Sequence, residues 1–292
     1  MFIIDGKVNG NQVGCLKVSP SLFNIKVLKS TNIHIEDLSF SYYDEEASVH
    51  LKVLENLTLD LSSNSITVLI GQSGCGKTTL LNLIAGVLAP ISGKIVFTKN
   101  GVEAKPKIGY VFQAPSLIPW RTVRDNVLLG AEIRNTLSVE VIERAEKLLI
   151  AYGLTDFVTA YPNSLSGGMQ QRVSIIRAVV SGADVLLLDE PFANTDYILR
   201  RELQEDLMKI VTEQNLIAIM VTHDLIEAVK IADNIVVLTP RPASIKESFT
   251  INVNRSERME TNLIMKNELY RYIENINNVI IGLDFSHKIN NA

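Results

Sequence analysis

The chain has two cysteines in 292 residues, Cys15 and Cys75, far apart. That excludes a disulfide scaffold and fits a reducing compartment. No charge of one sign dominates. Lys and Arg total 28, Asp and Glu 32, and the net charge is −4, which speaks against a large nucleic-acid footprint. No apolar run approaches the ~18 residues of a membrane span. The longest, Leu216 to Val221 and Val185 to Leu188, are strand-sized. The start, Met1 to Asp5, lacks a basic leader and a long apolar stretch, so no signal peptide is expected. What the chain does have is apolar content: 47% hydrophobic residues and a mean hydropathy of +0.18, slightly high for a soluble protein. Length alone suggests roughly two units of about 150 residues.

Residues 1 to 30, rich in Asn, Gly, Ser and Lys, read as a poorly packed extension. Alternation predicts strands over Ile33–Phe40 and Leu54–Leu61, with a polar turn at Asp44 to Ser48. Ile66–Ile70 is a short β-branched strand that leads through a Gly-rich turn into a helix, Thr78 to Val87. Strand character resumes at Lys94 to Phe97. Residues 122 to 160 look mostly helical, with Val139, Ile142, Ala145, Leu148 and Leu149 at helical spacing. A helix over Gly167–Val180 precedes an apolar strand, Asp184–Asp189, of the buried parallel kind. Helix Ile198–Gln214, strand Leu216–Val221, helix Leu225–Ala232 and strand Asn234–Leu238 follow. Alternating strands and helices imply an α/β fold with a mostly parallel sheet covered on both faces. Leu263, Ile264, Tyr270, Ile273 and Ile276 suggest a C-terminal helix packed on the core.

The strongest signal is Gly71-Gln72-Ser73-Gly74-Cys75-Gly76-Lys77-Thr78, followed by Thr79. It fits G-x-x-x-x-G-K-[ST] between a predicted strand and a predicted helix, the pattern of a phosphate-binding P-loop. Glycines let successive N–H groups face phosphate oxygens, and the helix N-terminus adds favourable partial charge. Lys77 would supply a positive charge to the β- and γ-phosphates of a nucleotide, and Thr78 offers a hydroxyl to Mg²⁺. Cys75 reads as a small filler more than as a reactive thiol. A second signal is Asp189-Glu190-Pro191 at the tip of the apolar strand. Adjacent carboxylates there are costly unless a cation or reactant uses them; Asp189 can hold Mg²⁺ through a water and Glu190 can polarise an attacking water. A third is Leu165-Ser166-Gly167-Gly168-Met169-Gln170-Gln171-Arg172. Ser166 is an N-cap candidate, and the glycines expose N–H groups at a helix start, a second anion site or an ordinary cap.

These motifs, in this order and with Thr222-His223-Asp224 after them, resemble an ABC transporter ATP-binding subunit over roughly residues 33 to 255. The resemblance implies a P-loop NTPase core with a mostly parallel sheet, an antiparallel β subdomain, and a helical subdomain at about 114–165. It places the ATPase domain at 31–255 and a helical extension at 256–292. It implies a head-to-tail dimer, with the same or a related ATPase subunit, in which Ser166, Gly167 and Gly168 contact the γ-phosphate of ATP held by the partner. Gln113 would touch Mg²⁺ and the attacking water, His223 would contact the γ-phosphate, and Tyr42 would stack on adenine, with Tyr43 as its rival. After Pro191-Phe192 the chain reads Ala193-Asn194-Thr195-Asp196, where most relatives have Gly or Ser, Ala, Leu, Asp. The acid at Asp196 is kept, while the interface loop before it departs from the pattern.

Leu117-Ile118-Pro119-Trp120-Arg121-Thr122-Val123 and the later Leu238-Thr239-Pro240-Arg241-Pro242-Ala243 resemble importer subunits for nitrate, sulfonate, taurine and related solutes. That resemblance implies an integral-membrane permease as partner, an external substrate-binding protein acting indirectly, and a peripheral position on the cytoplasmic face of the membrane. Trp120 and Leu117 would then meet the permease or pack within the helical subdomain. Two other readings remain at this point. A non-transport ABC ATPase acting on DNA or ribosomes would need long coiled coils or a second motif set. The intact Glu190 and His223 speak against a regulatory subunit that holds ATP without hydrolysing it, while the altered Asn194-Thr195 loop keeps that reading open.

Overall fold

The computed structural model describes residues 7–8, 11–12, 30–44, 49–193, 195–259 and 267–290. Nearly all of the predicted N-terminal extension lies outside them, as do 45–48 of the polar turn, Asn194, Leu263 and Ile264. Within the extension, Lys7–Val8 and Asn11–Gln12 form a two-residue antiparallel pair.

Six strands make the central sheet: β3 (Ser65–Ile70), β6 (Ile108–Val111), β7 (Val185–Asp189), β8 (Ile217–Val221), β9 (Asn234–Leu238) and β10 (Ile245–Thr250). Their order is β10-β9-β3-β8-β7-β6. Every neighbouring pair is parallel except β9 with β10. β3 and β8 are buried at every position. Their unbroken apolar runs follow from burial on both faces, because alternate side chains enter different cores. Val68, Leu186 and Met220 join the cluster under most of the helices, while Leu69, Leu187 and Ile219 join the cluster beneath the second sheet.

That second sheet is antiparallel, in the order β2 (Val49–Ser62), β1 (Thr31–Asp44), β4 (Ser92–Lys99) and β5 (Val102–Glu103). β1 and β2 extend beyond the predicted spans at both ends. Asp37 and Asn56 take positive φ where the ladder shifts register. Such bulges break the alternation that a strand reading relies on.

The helices are α1 (Lys77–Ile84), α2 (Val123–Ile133), α3 (Val139–Ala151), α4 (Gly167–Val180), α5 (Tyr197–Gln214), α6 (Leu225–Ile231), α7 (Arg255–Arg258) and α8 (Asn267–Asn290). α1 stops short of the predicted Val87, because Gly86 turns the chain at φ 72 and leaves Val87 exposed. In α3, Ala145, Leu148 and Leu149 are buried as predicted, but Val139 at its first turn is exposed. In α8, Ile276 is buried and Ile273 packs against the core; Tyr270 is exposed, and its neighbour Leu269 faces inward instead. The α7–α8 segment is tied down by charge as well. The Asp233 carboxylate accepts from Arg255, from the fully buried Arg258 (2.9 Å) and from the Ile66 N–H (2.8 Å). No helix among the described residues is long and apolar enough to cross a membrane.

Candidate nucleotide-binding site

β3 delivers the chain to a cleft of roughly 410 Å³ at the carboxyl end of the sheet. Gly71, Ser73, Gly74, Gly76, Lys77, Thr78 and Thr79 line it together with Glu190, Val221, His223 and Arg241. Two glycines are demanded by the backbone. Gly74 has φ +77, and Gly76 has φ +121 with the place of a Cβ only 2.8 Å from Val53 Cγ1. Lys77 Nζ donates to the carbonyls of Gly71 (2.8 Å) and Gln72 (3.0 Å), which holds the ammonium across the mouth of its own loop. Cys75 is buried beneath the loop, and burial pushes its thiol pKa up, with Lys77 opposing. A protonated, enclosed thiol is a filler.

The parallel register brings the strand tips to this loop. Asp189, last in β7, lies opposite Val221, last in β8. Thr78 Oγ1 donates to the Asp189 carboxylate at 3.0 and 3.3 Å. Burial and the neighbouring Glu190 raise the Asp189 pKa, against the Thr78 hydrogen bond and Lys77; the net shift is upward. A hydroxyl and a desolvated carboxylate at this distance, beside a phosphate loop, form a donor set that a hard cation would satisfy. No cluster of three or more His, Cys, Asp or Glu able to hold a metal occurs among the described residues.

Glu190 turns the chain at φ 45, and its N–H donates to the Val221 carbonyl at 3.0 Å. Its Oε2 lies 3.4 Å from Nδ1 of His223, whose side chain is 71% exposed. Asp224 caps α6 through the N–H groups of Ile226 (2.9 Å) and Glu227 (3.1 Å), which fixes the turn carrying His223. Of the two rival tyrosines, Tyr42 is the one joined to the P-loop helix. Its hydroxyl is 3.4 Å from Thr79 Oγ1 and its ring packs edge-on against Phe40. Tyr43 faces His50 instead.

The remaining predicted residues stand apart from the cleft. Ser166 caps α4 by accepting from Met169 N (3.3 Å), and Gly167 has open space around it. Gly168 abuts Leu199, and Asp196 caps α5 by accepting from the Leu199 N–H at 3.0 Å. The Ser166 and Asp196 helix starts thus form one neighbouring surface, and Arg172 braces it with bonds to Glu202 (2.8 Å) and Asp206 (2.9 Å). Gln113 is exposed just past β6, beside Phe112, which stacks on Tyr110. Arg177 of α4 holds the segment that follows by donating to the carbonyls of Pro115 and Ser116, both at 2.8 Å. Among the importer-type residues, Leu117 packs against the core and Trp120 is 78% exposed. Sequence reasoning missed Arg241 in the cleft, although the motif that contains it had been noticed.

Residues 54–193 match the family model described as "ABC transporter". An uncharacterised ABC transporter ATP-binding protein of Methanocaldococcus jannaschii is 44% identical over 208 residues, covering 70% of this chain and 77% of that protein. The taurine import ATP-binding protein TauB of Roseobacter denitrificans is 35% identical over 222 residues, covering 76% of this chain and 82% of that one. The solved dimeric structure of a bacterial ABC transporter cassette superposes with a TM-score of 0.64 at 27% identity, over 76% of this chain and 100% of that one.

Proposed function

Since the chain belongs to the ABC transporter ATP-binding family and hydrolyses ATP to drive transport, we propose that it powers import of a small solute of the nitrate, sulfonate or taurine kind. The observation that carries the site is the convergence of Lys77, Thr78, Asp189, Glu190 and His223 on one cleft, though they come from three separate stretches of chain. The taurine relative and the exposed Trp120 support the importer reading.

ATP would lay its phosphates along the N–H groups of residues 71–76. Lys77 would leave its two loop carbonyls for phosphate oxygens. Thr78 and Asp189 would hold Mg²⁺, which offsets phosphate charge when bound, and Gln113, apart from the cleft in this structure, would have to move in to join them. Glu190 orients or deprotonates the attacking water, and His223, in contact with Glu190, senses the γ-phosphate. Tyr42 offers its ring to adenine. The second anion surface, Ser166 to Gly168 with Asp196 beside it, is turned to a partner subunit's nucleotide. Such an arrangement needs a dimer, and the dimeric cassette structure supports it. A permease in the membrane completes the machine, with this chain on its cytoplasmic face.

Glu190→Gln tests this reading. The variant is expected to bind ATP, accumulate as a dimer in ATP on size-exclusion chromatography, and lose at least about 10²-fold in turnover. Turnover near wild type would remove Glu190 as the base. With the cognate permease in vesicles, ATP-driven movement of solute away from the binding-protein side would reject import.

A further inference from the structure

Arg241 alone among the cleft residues comes from the connection between β9 and β10. Its Nε donates to the carbonyl of Gly74, 167 positions earlier in the chain. A guanidinium nitrogen also lies 3.6 Å from where a Cβ on Gly74 would sit, so the group packs on the P-loop turn itself. The support behind it is fixed at several points. Ala243 is buried, its N–H donates to Val53 O (2.8 Å), and its carbonyl accepts from Glu55 N (3.0 Å). Thr239 closes the turn by accepting from Ser244 N through its hydroxyl at 2.9 Å. Val53 and Leu54 in turn press on Gly76, at 2.8 and 3.1 Å from its Cβ position. One turn thus joins the antiparallel sheet to both halves of the P-loop. Arg241 bonds the loop from its Nε, so that bond does not use its two terminal nitrogens, the pair suited to phosphate, and the residue is exposed and lines the cleft.

We propose that Arg241 is a nucleotide-site residue: it latches the P-loop at Gly74 and supplies a second fixed cation, beside Lys77, to the polyphosphate of ATP. The proposal rests on the reading of the cleft as the ATP site. A latch to a carbonyl keeps the loop N–H groups available for phosphate, and a charge on a braced turn loses little side-chain freedom when ligand arrives.

The test titrates fluorescent ATP and AMP analogues against the full chain at two salt concentrations, with nucleotide-free thermal unfolding alongside. Arg241→Met should weaken ATP binding about tenfold, the worth of one charge-assisted hydrogen bond. AMP, without a polyphosphate, should lose less. The salt dependence of ATP affinity should flatten, and the unfolding midpoint should stay near wild type. Arg241→Lys, which keeps the charge, should recover part of the ATP affinity, and it decides the matter if the Met variant does not fold. Two results would overturn the proposal: ATP affinity unchanged in Arg241→Met, or ATP and AMP affinities falling equally in step with the unfolding midpoint, unrescued by Lys. Lys77→Ala separates the two levels. If wild type fails to bind ATP, or Lys77→Ala binds as wild type does, the cleft reading itself fails. If both behave as expected and Arg241→Met is silent, the Arg241 assignment alone falls.

Discussion

The proposed phosphate loop is contiguous in sequence, so its residues are readable one by one. Gly71 to Thr78 work as a contiguous loop, and the Gly74 and Gly76 torsions explain why those positions are glycine. Partners far apart in the chain are not readable in this way. Nothing around Arg241 points to Gly74, and nothing around Arg258 says that its guanidinium is buried on Asp233 and the Ala232 carbonyl. Asp233 gives this a measurable consequence. Burial alone would raise its pKa, but the Arg255 hydrogen bond, the Ile66 N–H and the charges of Arg255 and Arg258 together hold it below the usual carboxylate value. A depressed folded pKa contributes stability that is present above the unfolded value of about 3.9 and is lost as pH falls through the folded value. Asp233→Asn should therefore cost about 3 kcal/mol at pH 7, because it strands a buried cation. It should also flatten the loss of stability below about pH 4. Urea unfolding midpoints measured from pH 7 down to pH 3 check both, and an acid limb as steep as wild type would refute the account.

At the scale of elements, the parallel core was the easiest part to read. β3, β7, β8 and β9 are short apolar runs between polar turns, and burial on both faces leaves no other use for such runs. The edges were harder. β10 is a mostly exposed strand in which only Ile245 and Phe249 pack inward, and β1 carries bulges that interrupt its alternation, so the first was missed and the second came out short. The proposed second anion surface, at the start of α4, depends on a contact that no periodicity reveals. A Cβ at Gly109 of β6 would sit 2.3 Å from the Ala178 carbonyl, so α4 lies directly on the strand backbone. Gly109→Ala must push α4 outward or strain β6. The expected cost is about 1–3 kcal/mol. Because α4 begins at the Ser166 surface, ATP hydrolysis should fall more than ATP binding by the single chain. A variant with wild-type stability would show that α4 has room to move, and equal losses in binding and hydrolysis would show that the displacement reaches the P-loop.

Across the described residues, the apolar surplus divides between two cores on opposite faces of the central sheet, and it is shared between strand interiors and the inward faces of the helices. On the proposed importer reading, a small part of the remainder lies in the stretch from Leu117 to Trp120. In sequence, Leu117 and Trp120 were equally placed for packing or for contact with a partner. In the structure they diverge, Leu117 against the core and Trp120 in solvent. The turn that presents Trp120 is well held. Buried Asn126 accepts from Ile118 N (2.7 Å) and donates to the carbonyls of Ile118, Arg121 and Thr122 at 3.0 to 3.1 Å. A large aromatic on a rigid, exposed turn suits a contact residue, since little freedom is lost when a partner covers it. Trp120→Ala should accordingly shift the stability of the isolated chain by no more than about 0.5 kcal/mol. Its ATPase without permease should stay at the wild-type level, while ATP-driven uptake in vesicles with the cognate permease falls severalfold. A stability loss of about 2 kcal/mol would mean that Trp120 packs within the subunit, as large core truncations do. Full uptake with Ala at this position would place the permease contact on another face of the helical region.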